Sequence, residues 1–506
     1  MRLPGARRIA GCFVLALSTL FPMPASTAEE QVPVSPQVVP ISPNDTPAQI
    51  IAKAAQVVPS PRQLAWQRQE LTAFVHFGVN TFTGREIGTG QESPEVFQPD
   101  QLDTDQWMNA LRDAGFRKVI FTAKHHDGFL LYPSHYSGYG VAASSWRAGK
   151  GDVVRAFTDS ARKFGLAVGI YLSPADLHEA LPGGRYGNGS RAVPTSIPEN
   201  PADSTGRTFP VTADDYNRYY LNTLYELLTR YGKVDEVWFD GFNPIHGKSQ
   251  TYDFPDWIKL VRALQPEAVM FGGVDLRWVG NEDGTARTGE FSVLPFHGKA
   301  DGAQDLPTVA AEESAADLGS DAVLAKAGGG DFLKWAPAEC DARLESTWFW
   351  HPNQPPKSLD SLVDMYFDSV GRNCQLLLDV PPDDHGRFTA ADVARLHEFG
   401  ARISGMFAHD LVRSTSREPD GSLVAELVGT KRVEVVSVAE DLRAGQRVTG
   451  FEAQAWNGCA WYPVATGTAV GNKRLLRLSK PVDTSRLRVH VTSARAAPMI
   501  KLGAYG

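Results

Sequence analysis

The chain has 506 residues, of which 42% are hydrophobic and 21% are charged, and its formal net charge is −8. The length predicts two or three domains unless one large α/β barrel is present, and the composition is that of a soluble globular protein. The negative charge argues against nucleic acid or an anionic membrane surface as the partner. The 11 Trp and 14 Tyr residues are compatible with sugar binding, although most of them are expected in the core.

Residues 1–28 have the pattern of a secretory signal peptide. Basic residues precede an apolar run over residues 9–21, and small residues at 25–28 suit cleavage. The apolar run is too short to remain as a membrane anchor. A lipoprotein-like segment around Cys12 precedes the apolar run instead of following it, so lipidation is not expected. The pattern predicts an exported protein, periplasmic or extracellular, without a membrane anchor.

Three cysteines remain after removal of the signal peptide, namely Cys340, Cys374 and Cys459. An odd number leaves at least one of them unpaired and predicts no disulfide framework. Cys374 lies in an apolar stretch and is expected in the core. The sequence does not assign the pairing of these cysteines, nor does it set the oligomeric state.

The segments after the signal peptide predict a linker and then a parallel α/β domain. Residues 29–60 are Pro-rich and lack periodicity, so we interpret them as an extended linker. Across residues 61–400 short apolar runs alternate with helical patterns, and their number favours a (β/α)8 TIM-like barrel over an open sheet. The expected strands lie at 73–78, 119–123, 167–172, 237–240, 268–272, 347–350 and 375–380, and the expected helices at 107–114, 153–164, 216–231 and 257–264. Residues 291–333 are irregular and leave one strand unassigned.

The pattern changes in the last hundred residues. Val433 and Val435 flank Glu434, and Leu487, Val489 and Val491 alternate with polar residues, without helical periodicity. This alternation predicts that residues 401–506 form a small antiparallel β-sandwich.

Polar side chains stand at the ends of successive predicted strands. They are His76, the segment from Lys124 to Phe129, Tyr171, Trp238 with Asp240, and the segment from Arg277 to Glu282. A single His or Asp at such a place is usually a satisfied core or capping group. Five such groups converge on one mouth if the barrel is correct, because the carboxyl ends of barrel strands meet there.

The neighbours His125, His126 and Asp127 raise a metal hypothesis. Adjacent residues on a strand point to opposite faces, so the two histidines are poorly placed to bind one ion. The sequence also lacks HExxH and Cys-pair motifs. We therefore expect neither a catalytic metal nor a cofactor.

A carboxylate pair fits the strand ends better. Asp240 follows a strand, and Glu282 lies one βα unit further along in a Gly-rich loop, so the two can face each other across the mouth. Glycoside hydrolysis uses two carboxyl groups that flank the scissile bond. Asp283 and Glu290 are competing candidates for the role of Glu282.

These residues resemble those of glycoside hydrolase family 29, the α-L-fucosidases, over about residues 61–500. The motifs that carry the resemblance are His76-Phe77-Gly78, Ala123 to Phe129, Glu236 to Gly241, Arg277 to Glu282, Ser369 to Asn373, and Leu376 to Pro382. The context Gly280-Asn281-Glu282 is similar to that of the subgroup acting on α-1,3/1,4-linked fucose in branched glycans.

The resemblance implies a role for each residue. Asp240 maps to the nucleophile of a retaining double displacement and Glu282 to its general acid/base. The residues that map to fucose binding are His76, Glu86, His125, His126, Tyr171, Trp238 and Arg277, with Trp348 as the ring expected on the sugar methyl. Ile87 departs from the family, in which many members have Trp there, so the resemblance does not assign that part of the sugar-stacking wall. The implied substrate is a fucosylated oligosaccharide or glycoprotein glycan. The implied activity is that of a general α-L-fucosidase or of one selective for 1,3-linked fucose.

Two alternatives remain at this point. The first is a non-catalytic glycan-binding protein on the same barrel, which would need the aromatic and histidine lining but not both carboxylates. The second is another retaining barrel glycosidase, such as an α-galactosidase, which would lack an apolar pocket for the fucose methyl.

Overall fold

The computed structural model describes residues 37–302, 304–326 and 330–506. The predicted signal peptide and the first part of the predicted linker lie outside the described residues. Within the described ranges, no helix is both long enough and apolar enough to cross a membrane.

The prediction of a (β/α)8 barrel is confirmed by an eight-stranded, nearly closed parallel sheet. In chain order its strands are β1 Leu71–Val75, β2 Lys118–Lys124, β3 Ala167–Leu172, β4 Glu236–Trp238, β5 Val269–Phe271, β6 Arg277–Trp278, β7 Ala338–Arg343 and β8 Gln375–Asp379. Hydrogen bonding runs in the order β5-β4-β3-β2-β1-β8-β7-β6. All of these strands therefore end at the same mouth.

Helices pack around this sheet. They are Val79–Thr83, Thr104–Asp113, Val153–Lys163, Asp215–Arg230, Phe254–Leu264, Leu359–Asp368 and Ala390–Met406. Four of them begin after an aspartate, Asp103, Asp152, Asp214 or Asp253, whose carboxylate accepts a first-turn backbone N–H. Such caps satisfy donors that a helix start leaves unpaired. The loops carry the short helices Pro94–Val96, Val141–Ala143, Trp146–Gly149 and Pro201–Asp203 and the strand pair Val193–Ile197 and Phe209–Ala213.

The barrel prediction was wrong at one place and had left a second place open. Residues 347–350, predicted as a strand because of their aromatic run, form a loop, and the strand that precedes them is β7. The irregular stretch 291–333 does not supply a barrel strand. It forms a separate antiparallel sheet with strands Val38–Pro40, Val293–His297, Thr308–Val309 and Phe332–Trp335, near the short helix Asp321–Leu324.

The predicted linker is folded where the structure describes it. Val38–Pro40 pairs with Phe332–Trp335, and helices Pro47–Ala54 and Pro61–Gln67 follow. Both helices have a Pro in the first turn and a capping box, the first between Thr46 and Gln49. The prolines that suggested an extended linker therefore mark helix starts.

The predicted C-terminal β-sandwich is confirmed. It contains the strands Val412–Arg417, Leu423–Glu440, Val448–Trp456, Trp461–Gly467, Arg474–Ala494 and Ile500–Tyr505, with the short helix Leu442–Ala444. All pairings are antiparallel, and register shifts interrupt the two longest strands. Helix Ala390–Met406 extends the barrel domain past the predicted boundary at residue 400.

The sandwich packs on the amino-terminal side of β8. Leu475 is buried in the barrel's hydrophobic core, and its N–H donates to Gly371 O at 2.9 Å. Lys473 lies 2.6 Å from Glu70, just before β1. The C-terminal domain therefore supports the barrel from the side opposite the mouth.

A disulfide joins two neighbouring strands of the barrel. Cys340 of β7 and Cys374, just before β8, are bonded, and both are buried. Cys374 is thus a core residue as expected, but it is paired. Cys459 is unpaired and exposed.

Candidate active site

Asp240 lies two residues beyond β4, and its carboxylate is held by three donors. Oδ2 accepts the Tyr171 hydroxyl at 2.8 Å and faces His126 Nε2 at 3.4 Å. Oδ1 accepts the backbone N–H of Phe242 at 2.8 Å. Because the donors come from three different strand ends, the carboxylate has a fixed orientation at the mouth.

The same contacts keep Asp240 ionised. Burial alone raises the pKa of its carboxyl, but hydrogen bonds from His126, the Phe242 N–H and Tyr171 favour the charged form. The result is a pKa below the usual value for aspartate. A fixed carboxylate that stays charged in mild acid is suited to act as a nucleophile.

His126 is itself oriented by a second contact. Its Nδ1 lies 2.7 Å from Ser173 Oγ, and that hydroxyl donates to Ala175 O at 2.8 Å. The Ser173 hydroxyl is therefore an acceptor for the imidazole, and this contact orients the ring so that Nε2 faces Asp240.

His76 is fixed by Asp379 at the end of β8. Asp379 Oδ1 accepts from His76 Nδ1 at 2.8 Å and from the His76 backbone N–H at 3.2 Å. Burial raises the pKa of Asp379 to about 6, against the opposing effect of His76. With the proton on Nδ1, Nε2 is left as an acceptor for a ligand hydroxyl.

His125 has an unsatisfied polar atom in the same wall. Its ring stacks on Tyr171 with centroids 5.6 Å apart and lies 5.5 Å from the His76 ring. Burial, assisted by the nearby His126 and His76, holds its pKa well below the usual value, so the imidazole is neutral. In the described part of the chain its buried Nδ1 has no hydrogen-bond partner. The Asp127 carboxylate lies near this nitrogen, with Oδ2 at 3.9 Å.

Aromatic rings form the rest of the wall. Trp238 stacks on Phe271 with centroids 4.0 Å apart, and its Nε1 donates to Glu339 at 2.9 Å. Trp348 lies 5.1 Å from the His76 ring. Phe349 is fully buried and packs edge-on to His76 and His125.

Glu86 binds protein groups in this structure. Its two carboxylate oxygens lie 2.8 Å from the Trp348 N–H and 3.1 Å from His351 Nε2. It therefore positions the loop that carries Trp348, while its side chain remains 35% exposed. Ile87 follows it at an intermediate degree of burial.

Glu282 lies on an exposed loop beside this wall. Its side chain is 48% exposed, and Arg343 Nη2 is 3.8 Å from Oε2. The Arg343 guanidinium also lies 5.2 Å from the Trp348 ring, so one side chain connects these two predicted site residues. The loop is fixed to β7 because the Gly284 N–H donates to Asp341 O at 3.0 Å.

Glu290 and Arg277 form a buried pair away from the aromatic wall. The Arg277 guanidinium donates to Glu290 and to Ala336 O, and Arg287 lies 3.3 Å from Glu290. Glu290 is therefore already neutralised and is a poor acid/base candidate. Arg277 was predicted to bind substrate, but its guanidinium is engaged by these buried groups, so the structure does not bring it together with the other site residues.

Sequence reasoning missed Asp341, which lies at the end of β7. Burial raises the pKa of this carboxyl to about 7, and the nearby charges of Glu282 and Asp240 act in the same direction. The Trp278 N–H donates to it at 2.7 Å. A signal was readable: Glu339, Asp341 and Arg343 alternate with small residues, which is the period of a strand.

A second cluster of possible metal ligands lies outside the mouth. His135, Asp203 and Glu226 have donor atoms close enough to hold one ion. However, Arg230 pairs with both carboxylates, at 2.9 Å from Glu226. Since the guanidinium supplies the positive charge there, this cluster is a satisfied ion-pair network.

Comparison with known proteins gives one consistent result. The sequence model of the alpha-L-fucosidase family matches residues 63–404. "Alpha-L-fucosidase 1" of Arabidopsis thaliana is 35% identical over 486 residues, covering 88% of this chain and 87% of that protein.

Solved structures agree. A putative alpha-L-fucosidase from Bacteroides ovatus superposes with a TM-score of 0.81 at 37% identity, over 93% of this chain and 78% of that one. A Ruminococcus gnavus GH29 fucosidase in complex with fucose superposes with a TM-score of 0.74 at 30% identity, over 89% of this chain and 95% of that one.

Proposed function

The chain belongs to the alpha-L-fucosidase family and is an α-L-fucosidase, and from this premise we propose that it is an exported, retaining enzyme that releases α-1,3- or α-1,4-linked L-fucose from branched glycans. The observation that carries the proposal is the Asp240 carboxylate, held by three donors and kept ionised at the barrel mouth. The predicted signal peptide supports export to the periplasm or the extracellular space.

The reaction proceeds in two displacements. Asp240 attacks the anomeric carbon while Glu282 donates a proton to the departing glycosidic oxygen, which gives a fucosyl-enzyme ester and the free sugar. Glu282, now ionised, removes a proton from water, and the water oxygen attacks the anomeric carbon and displaces Asp240. Retention predicts a carboxyl separation of about 5–5.5 Å in the substrate complex, against about 6.5–9.5 Å for inversion.

The wall residues supply binding and orientation. His76, through Nε2, is placed to bond a sugar hydroxyl, and the neutral His125 ring lies beside it in the same wall, with ring centroids 5.5 Å apart. Trp238 and Trp348 offer apolar surface to the sugar ring and its methyl group. Bonds that strengthen as positive charge develops on the sugar would accelerate the reaction and not merely bind substrate.

The linkage preference rests on the loop that carries the acid. The context Gly280-Asn281-Glu282 is similar to that of the subgroup acting on α-1,3/1,4-linked fucose. The loop that carries Glu282 is fixed to β7 by the Gly284 N–H bond to Asp341 O at 3.0 Å, and we expect this restraint to limit the leaving-group oxygens that Glu282 can protonate.

A linkage panel tests this proposal. Oligosaccharides of matched length carrying fucose in α-1,2, α-1,3, α-1,4 or α-1,6 linkage are incubated with the enzyme, and released fucose is quantified at initial rates. We expect kcat/KM on the α-1,3 and α-1,4 substrates to exceed the others by about tenfold or more. Faster release from the α-1,2 or α-1,6 substrate would contradict the linkage assignment.

A pH profile tests the environment of Asp240. Replacing His126 by Phe removes the hydrogen bond that contributes most to lowering the pKa of Asp240, so that pKa should rise. Activity that needs the carboxylate is then lost at a higher pH as the pH falls, and the acid limb of kcat/KM moves upward. Tyr171→Phe, which removes a weaker contribution, should give a smaller shift in the same direction. An unmoved acid limb in both variants would show that another group sets it.

A further inference from the structure

Strand β7 fixes two tryptophans at different depths of the barrel mouth. We call these depths the inner tier, which holds Trp238, and the outer tier, which holds Trp278. Glu339 and Asp341 are two residues apart, so they point to the same face and lie about 6.6 Å apart along the strand. The Trp238 N–H donates to Glu339 at 2.9 Å, and the Trp278 N–H donates to Asp341 at 2.7 Å. Trp278 also pairs in register with Glu339 across the parallel β6–β7 ladder. The two indoles are therefore fixed by equivalent contacts, one tier apart.

The tiers differ in exposure. Trp238 is 6% exposed and stacks on Phe271, whereas Trp278 is 47% exposed. The only polar group of the Trp278 side chain is bonded to the buried Asp341 carboxylate. Because the N–H of Trp278 is already used, the surface that it offers to solvent is the carbon face of the ring.

The outer tier lies on the side of the proton donor. Trp278 begins the segment that leads to Glu282, and this segment is fixed to β7 at both ends, since the Val279 N–H donates to Glu339 O and the Gly284 N–H to Asp341 O, each at 3.0 Å. The charges of Glu282 and Asp240 both act on Asp341. Asp341 and Trp278 therefore lie on the same side of the mouth as the segment that carries Glu282.

We propose that Trp278, positioned by Asp341, is the platform for the sugar to which the fucose is attached. The inner tier with Trp238 faces the fucose, and the next residue of the glycan extends outward from the mouth past Glu282. That residue places the apolar C–H face of its pyranose ring on the exposed indole. The ligand class is a hexopyranose joined through the bond that the enzyme cleaves. The inference rests on the proposed function, because it requires Glu282 to protonate the bond to that sugar.

The test compares two substrates that differ only in the leaving group. A fucosylated oligosaccharide cleaved by the wild-type enzyme presents a leaving sugar, whereas α-L-fucosyl fluoride presents a single atom that cannot touch Trp278. For Trp278→Ala we expect KM for the oligosaccharide to rise about tenfold, as for loss of a large aromatic contact. For the same variant, KM for fucosyl fluoride should change less than about twofold. Trp278→Phe, which keeps an aromatic face, should recover part of the loss.

The role of Asp341 as a positioning residue is tested by rescue. Asp341→Leu removes the acceptor and should raise the oligosaccharide KM toward that of Trp278→Ala, whereas Asp341→Asn keeps an acceptor oxygen and should restore it. Trp461→Ala in the C-terminal sandwich controls for loss of a partly exposed indole elsewhere.

Equal losses on both substrates for Trp278→Ala and Trp278→Phe, or an unchanged oligosaccharide KM, would overturn the proposal. Its failure is separable from failure of the linkage assignment. The comparison uses whichever fucosylated oligosaccharide the wild-type enzyme cleaves. The effect of Trp278→Ala on the oligosaccharide KM, relative to its effect on the fucosyl fluoride KM, therefore decides the proposal even if the linkage preference is unexpected.

Discussion

Asp240→Asn is expected to lower turnover by about 10⁴-fold or more on every fucoside, because removal of a nucleophile eliminates the covalent pathway itself. The Asn oxygen can still accept the Phe242 N–H, and its NH2 group can donate to the Tyr171 hydroxyl in place of the second carboxylate oxygen, which keeps the mouth in place. The loss should therefore appear in kcat with little change in the thermal unfolding midpoint.

Asp235→Asn is the matched control. Asp235 precedes β4 at the opposite end of the barrel, and its side chain is 22% exposed, against 19% for Asp240. Activity near that of the wild type is expected. A loss of only a few-fold in Asp240→Asn, or a comparable loss in Asp235→Asn, would place the nucleophile elsewhere.

Glu282→Gln should show losses that depend on the leaving group. Sugar leaving groups need a proton, so their release should slow by about 10²–10⁴-fold, whereas fucosyl fluoride should form the fucosyl-enzyme at a rate much closer to that of the wild type. Breakdown of that intermediate then becomes slow, because water lacks its general base. Asp283→Asn, next in the chain and also exposed, is the matched control and should retain activity on both substrates.

Azide separates the two carboxylates by stereochemistry. In Glu282→Gln the anion attacks the fucosyl-enzyme without a general base and should yield α-fucosyl azide, since two inversions retain the configuration. In Asp240→Gly it would instead enter from the face of the missing carboxylate and yield the β-anomer. Equal losses on both substrates without azide rescue would remove Glu282 from the acid/base role. The buried Glu290, which pairs with Arg277 and Arg287, is a poor substitute.

The parts of the site that were predictable lie on apolar strands. The runs ending at Tyr171 and Trp238 have the composition of buried parallel strands, so the positions of Tyr171, Asp240 and the histidines near β2 followed from topology. The family resemblance then supplied their roles. Contacts among them, such as Ser173 fixing His126, depend on side chains that approach only in the folded barrel.

The parts that were missed have separate physical causes. Strand β7 carries Glu339, Asp341 and Arg343 inside a barrel, where an apolar run was expected, because these groups line the mouth and bond Trp238 and Trp278. The aromatic run at 347–350 resembled a strand more closely, although it forms the loop that Glu86 holds. Arg277 was predicted to bind the substrate, but its side chain points to Glu290. A single sequence does not give the direction of one long side chain.

Trapping the covalent intermediate tests the central claim most directly. A 2-deoxy-2-fluoro-α-L-fucosyl fluoride keeps an activated leaving group, while its electron-withdrawing fluorine destabilises the oxocarbenium-like transition states and slows breakdown of the ester. The enzyme is inactivated with this reagent, digested at acid pH and mapped by mass spectrometry. We expect one fluorofucosyl group per chain, on the peptide that contains Asp240, and reactivation after removal of excess reagent. A label on another carboxylate, or slow turnover to the β-anomer of the free sugar without a covalent adduct, would contradict a retaining mechanism through Asp240.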